Sequence, residues 1–159
     1  MKNALITAAA MSLTIQQALA SDTGLWGGSY YCVEEEAGGL AYDTGRKHWI
    51  GTSFNSTDRF VLTMSYLHPA APDPTLGEVY KATLTPAGTS TPNECIGYSY
   101  PKDTLVMLGL LNCGAIAGDF TFNFDSHRYL KTYSHGYVSG TDNNDDTPFV
   151  AGGTCTKIN

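Results

Sequence analysis

From Ser21 onward the chain has no sustained apolar period of 3.6 residues. Short runs rich in Tyr, Val, Phe and Thr recur instead between clusters of Gly, Pro and Asn, the pattern of strands separated by turns. Strands are predicted at Ser29–Glu35, Lys47–Phe54, Arg59–Leu67, Glu78–Leu84, Glu94–Tyr98, Leu105–Asn112, Phe120–Phe124 and Arg128–Val138, with a ninth at Phe149–Cys155. The clearest alternation is FTFNF, in which Phe120, Phe122 and Phe124 face one way and Thr121 and Asn123 the other, as in a strand with one buried face. YDTGRKHW and FDSHRY read as hairpin turns opened by an Asp. The proline-bearing stretches HPAAPDPTLG and TPAGTSTPN read as loops. Sequential strands with short links give an all-β antiparallel meander of about eight strands. Such a meander manages its edges by closing as a full or partial barrel or, alternatively, by folding into a β-sandwich; the barrel is the expectation here.

The first residues, MKNALITAAAMSLTIQQALASD, carry one Lys, an uncharged apolar run and a small-x-small step at Ala18–Ala20, the layout of a secretory signal peptide. Residues 1–20 are expected to be removed, leaving residues 21–159 as a single exported β domain, periplasmic or extracellular. No segment approaches the eighteen or so apolar residues of a membrane-spanning helix. An oxidising compartment gives the four cysteines their meaning. Cys32, Cys95, Cys113 and Cys155 are too widely spaced for a zinc site, so two disulfides are expected. Three pairings are available. Cys95–Cys113 with Cys32–Cys155 is preferred, the first closing a local excursion and the second tying the ends of the mature chain.

Charge narrows the partners. The chain has nine Lys and Arg and fifteen Asp and Glu; removing Lys2 leaves eight against fifteen, a net charge of −7. Nucleic acid is a poor partner for that surface, and a basic protein a good one.

Searching for chemistry yields little that is enzymatic. His48, His68, His127 and His135 include no pair spaced to sit together on one element, and the surroundings of Ser139, GYVSG, are not the G-x-S-x-G elbow. Within VEEEAGG, Glu34 and Glu36 share one face of an extended chain, a candidate buried acid. A glycosidase needs a second carboxylate, which no motif nominates, and a solvated strand end running into a Gly-Gly turn is the simpler reading. Asn55-Ser56-Thr57 satisfies the N-glycosylation sequon. No enzyme activity and no cofactor are therefore predicted.

Two stretches are candidates for binding. Along RYLKTYSHGY, alternation places Tyr129, Lys131, Tyr133, His135 and Tyr137 on one face, and tyrosines combine contact area with a hydroxyl. Next to it, GTDNNDDTPFV places Asp142, Asn144 and Asp146 at i, i+2, i+4, as a calcium loop begins. The pattern then fails: counting from Asp142, the sixth position is Thr147 and the twelfth Gly153, where a calcium loop needs Gly and Glu. The loop is expected to be an acidic turn, with Asp145 and Asp146 offered to a partner.

Together, YYCVEEEAGGLAYDTGRKHWIGTSF and GYVSGTDNNDDTPFVAGGTCTKI resemble a family of small exported bacterial proteins of unassigned function. The resemblance implies an exported bacterial domain and assigns no residue a role. A looser likeness, carried by Tyr30 and Cys32, is to the periplasmic lysozyme inhibitors, small acidic disulfide-bonded barrels; their Ser-Gly-x-x-Tyr loop is absent. Lipocalin-like barrels share the strand count but not, in LWGGSYY, their Gly-x-Trp signature. The expected function is that of a non-catalytic barrel binding or inhibiting something, a basic protein first among candidates. The alternatives are a cryptic secreted hydrolase and a lipocalin-like barrel for small ligands. The candidate contacts are Tyr129, Tyr133, His135, Tyr137, Asp145 and Asp146.

Overall fold

A computed structural model describes residues 23–98, 103–115 and 118–159. The proposed signal peptide therefore lies outside the described residues. The described chain is all-β. Its strands are β1 (Gly28–Asp43), β2 (His48–Phe54), β3 (Arg59–Pro69), β4 (Glu78–Pro86), β5 (Asn93–Gly97), β6 (Thr104–Met107), β7 (Leu110–Ala115), β8 (Gly118–Asn123), β9 (Arg128–Tyr133) and β10 (Phe149–Lys157). A single helical turn, α1 (His135–Val138), lies between β9 and β10.

The meander closes into an eight-place antiparallel barrel. β1 pairs with β3 on one edge and with β10 on the other, Tyr30 opposite Lys157 through Gly39 opposite Phe149. β5 and β6 lie end to end between β4 and β7 and share one place in the ring. β2 stands outside it and, among the described residues, pairs only with the far half of β1 from Ala37 to Asp43. The β1–β2 hairpin thus projects beyond the barrel wall. Closure leaves no free edge around the ring, which removes the main aggregation hazard of a long meander.

Both disulfides pair as expected. Cys32–Cys155 bridges β1 and β10, the two strands whose meeting closes the barrel, and Cys95–Cys113 bridges β5 and β7. All four cysteines are buried among Leu62, Leu84, Leu111, Phe120 and Phe122. The inward set of FTFNF is the predicted one: Phe120, Phe122 and Phe124 are all buried.

Four expectations are corrected. β1 does not turn at Gly38–Gly39 but continues to Asp43. The glycines let it: a Cβ on Gly39 would come within 2.1 Å of the Pro148 carbonyl oxygen, so lack of a side chain is what admits the neighbouring chain. The predicted strand Leu105–Asn112 is two strands joined by a tight turn at Leu108–Gly109, both with positive φ, 51° and 71°. That left-handed pair matches the right-handed twist of a hairpin. β9 stops at Tyr133 rather than Val138, because the chain coils into α1 with Gly136 seated on the Asp146 carbonyl, 1.5 Å from where a Cβ would stand. Finally, the β8–β9 turn is held by Asn123, whose Oδ1 accepts from the amides of Asp125 and Ser126 at 2.9 and 2.8 Å. Asp43 does play that part in the β1–β2 turn, accepting from Gly45 and Arg46.

The two ends of the barrel differ. One is plugged: Trp26 stacks on Phe124 at 4.9 Å between centroids, donates its amide to the Tyr80 hydroxyl at 2.8 Å, and accepts from Tyr30 through its carbonyl at 3.1 Å. The Tyr80 hydroxyl passes its proton bond on to Glu78. At the other end the β2–β3 loop and the α1–β10 segment stand around a hollow.

Candidate functional site at the open end of the barrel

Three inward rows of side chains lead up to that hollow. Tyr129, Lys131 and Tyr133 of β9 lie opposite Gly153, Ala151 and Phe149 of β10. Gly153 in turn lies opposite Glu34 of β1. The face predicted from alternation on β9 therefore exists as far as Tyr133, and it is the inside of the barrel rather than an outer surface: Tyr129 is core, Lys131 wall, Tyr133 mouth. Glu34 is buried whereas Glu35 and Glu36 are exposed. The register slips between Glu34 and Glu36, a β-bulge that breaks the shared face the sequence suggested.

Lys131 ties this end together. Its Nζ lies 3.3 Å from Oε2 of Glu34 and 2.7 Å from Oδ2 of Asp58, and 5.8 Å from the ring centroids of both Phe60 and Phe149. An ammonium flanked by two carboxylates and two aromatic faces is satisfied by charge and by cation–π attraction together. Asp58 is positioned from the backbone, its carbonyl accepting from the Glu34 amide at 2.9 Å. The Tyr129 hydroxyl is buried with no hydrogen-bond partner among the described residues. Burial first, then the negative charges of Glu34, Asp58 and Glu35, hold its pKa above the usual tyrosine value.

Beside Lys131 opens a cavity of about 410 Å³. Its apolar lining is Leu84, Ala115, Phe120 and Phe149, and its acidic lining Asp58, Asp119, Asp145 and Asp146. Two smaller hollows, of about 270 and 200 Å³, share the Lys131–Asp58 bridge as a common wall. Two of these acids are held by tyrosines: Tyr133 donates to Asp146 and Tyr98 to Asp119. Those bonds raise both phenols, Tyr98 to about 12, with burial adding to the effect. Among the described residues no Lys or Arg forms an ion pair with Asp119, Asp145 or Asp146.

The remaining candidates lie elsewhere. Tyr137 is exposed on α1 and meets Trp49 edge-on at 5.6 Å, against the projecting hairpin, and His135 is exposed beside it. In the acidic loop, Asp142 accepts from the Trp49 indole at 2.9 Å, while Asn144 both accepts from the Tyr42 amide and donates to its carbonyl, at 2.7 and 2.8 Å. Asn143 accepts from the Asp145 amide. The three residues of the partial calcium pattern thus engage three different neighbours, Asp146 the Tyr133 hydroxyl, Asp142 the indole and Asn144 a strand edge. Among the described residues no group of three His, Cys, Asp or Glu is arranged to hold a metal. Millimolar calcium is accordingly expected to leave the melting temperature unchanged, since an ion that binds only the folded state must raise it. A chelator-reversible rise, lost in Asp142→Ala with Asp146→Ala, is the contrary result.

Glu34, Asp58 and Lys131 were missed as a group because they come from three separated parts of the chain. Two local signals existed, an inward-facing Lys between two tyrosines on β9 and Glu34 as a candidate buried acid in VEEEAGG. Among the described residues no helix is long and apolar enough to cross a membrane. No family profile, no curated protein and no solved structure matches this chain.

Proposed function

We propose that the protein is an exported barrel that works by binding, and that the open end is where it binds, with a positively charged protein as the partner. The observation that supports this is the cavity at that end, which sets an apolar wall against three carboxylates with no cation paired to them among the described residues. Its volume lies in the range of ligand sites, about 300–1,000 Å³. The net charge of −7 expected for residues 21–159, from eight basic and fifteen acidic residues, favours encounter with a basic surface. Export rests on the leader-like first residues and on the two disulfides.

The division of labour gives a kinetic test, for which a basic lysozyme is the first partner to try. Asp145→Asn with Asp146→Asn is expected to slow association and flatten its dependence on salt, while Tyr133→Ala acts mainly by speeding dissociation. Surface-plasmon kinetics at two ionic strengths separate the two. Rates unchanged in both variants would remove the open end from consideration.

A further inference from the structure

We infer that the open-end cavity takes an organic ammonium group carried on an apolar stem, either a free amine or a lysine side chain presented by a partner. The inference rests on the reading that the open end binds, and adds the chemistry of what enters. The chain itself supplies the precedent. Lys131 already places an alkylammonium at this end, its Nζ between Glu34 and Asp58 and above the rings of Phe60 and Phe149. Across the 410 Å³ cavity the same two elements recur: Tyr133 and Phe149 line it with aromatic surface, and Asp145 and Asp146 add acidic residues. Lys131 is committed to its own carboxylates, so it does not neutralise the second set.

The occupant's sign and shape follow. An anion would meet four lining carboxylates and one occupied ammonium. A small hydrated metal ion would leave the aromatic wall in water and lacks a three-ligand group among the described residues. A neutral apolar molecule would bury the acids without compensating them, at a desolvation cost. An ammonium on a stem of several carbons satisfies both walls, with its chain against Tyr133 and Phe149 and its charge toward Asp145 and Asp146. The fixed carboxylate of Asp146, held by Tyr133, presents this charge without reorganisation.

The test is titration of the oxidised protein with hexylammonium chloride, followed by amide NMR shifts, beside hexan-1-ol and sodium hexanoate. Saturable binding of hexylammonium is expected, with hexan-1-ol at least roughly tenfold weaker, the loss that removing one close charge interaction produces. Asp145→Asn should weaken the amine by a similar factor; its carboxylate accepts no hydrogen bond from the described residues, so this variant is expected to fold even if Asp146→Asn does not. Equal binding of amine and alcohol, indifference to Asp145→Asn, or no binding of the amine would each overturn the inference. A second arm adds lysozyme. Displacement of lysozyme by hexylammonium assigns the site to a lysine side chain, and amine binding without competition assigns it to free amines. If lysozyme associates in an Asp145- and Asp146-dependent way while hexylammonium does not bind, the amine inference alone fails; if neither binds, the reading of the open end fails with it.

Discussion

Removing the Cys32–Cys155 bridge is expected to lower stability by about 5 kcal/mol, and removing Cys95–Cys113 by about 3, from the chain-entropy cost of opening the two loops. The ordering follows from the sequence separations, 123 residues against 18. Both bridges are buried in one core, so loss of packing differs less between them than loss of loop closure. The position of the long bridge adds to its weight, because it joins the two strands that close the barrel. Urea unfolding of Cys32→Ala with Cys155→Ala, beside Cys95→Ala with Cys113→Ala, measures the difference. Equal losses would mean that the entropic account of the long loop is wrong here.

The second large effect belongs to Lys131. Its side chain and that of Glu34 are only 17% and 6% exposed, whereas Asp58 is 64% exposed. Lys131→Ala strands the Glu34 carboxylate in the barrel wall, and breaking a buried pair from one side costs about 3–5 kcal/mol. Asp58→Asn breaks the geometrically closer contact, at 2.7 Å, yet removes only a solvent-screened charge and is expected to cost under about 1 kcal/mol. Burial, not distance, decides the ranking. Replacing both buried partners, Lys131→Met with Glu34→Gln, should recover much of the loss, because the one charge left unpaired, Asp58, is exposed to solvent. A double-mutant cycle on unfolding free energies tests this, and a double variant as unstable as Lys131→Ala would contradict it.

What could be read from the chain was what is local. Period-two alternation located β8 and its buried phenylalanines, and Asp43 marked the first hairpin through side-chain bonds that span two or three residues. The pairing of the cysteines was readable because tying the ends of an antiparallel barrel is also what closes it. Failures occurred where a contact distant in sequence overrides local preference. Leu108 adopts a left-handed conformation that Asn or Gly ordinarily supplies, so in VMLGLL only the lone Gly109 marks the turn. Gly38 and Gly39 look like a chain reversal, but β2 on one edge and β10 on the other hold them extended. The strand through Tyr133 looks continuous to Val138 until Gly136 is seen to sit on the Asp146 carbonyl.

The site divides the same way. Tyr133, Asp145 and Asp146 were legible as candidates because tyrosines in alternation and a run of acids are visible locally, and the fold brings them to one cavity. Tyr129 shares their strand face but is consumed by the core, where its ring packs on Phe60 and Phe120 at 5.1 and 5.6 Å. His135 and Tyr137 leave that face because α1 breaks the alternation. Asp58 had no signal at all: it became part of the site only through the barrel register that sets the β2–β3 loop beside Glu34 and Lys131.

The open end, and not the plugged end or the projecting hairpin, is proposed as the binding surface. The most direct measurement is an amide NMR titration of the oxidised protein with a basic lysozyme at low ionic strength. Shifts are predicted to gather at Asp58–Phe60, Lys131–Tyr133 and Asp145–Phe149, the walls of the cavity, and to spare Trp26, Gly109 and Phe124 at the plug. Shifts centred on the plug or on Trp49 and Tyr137, or none at all, would contradict the account.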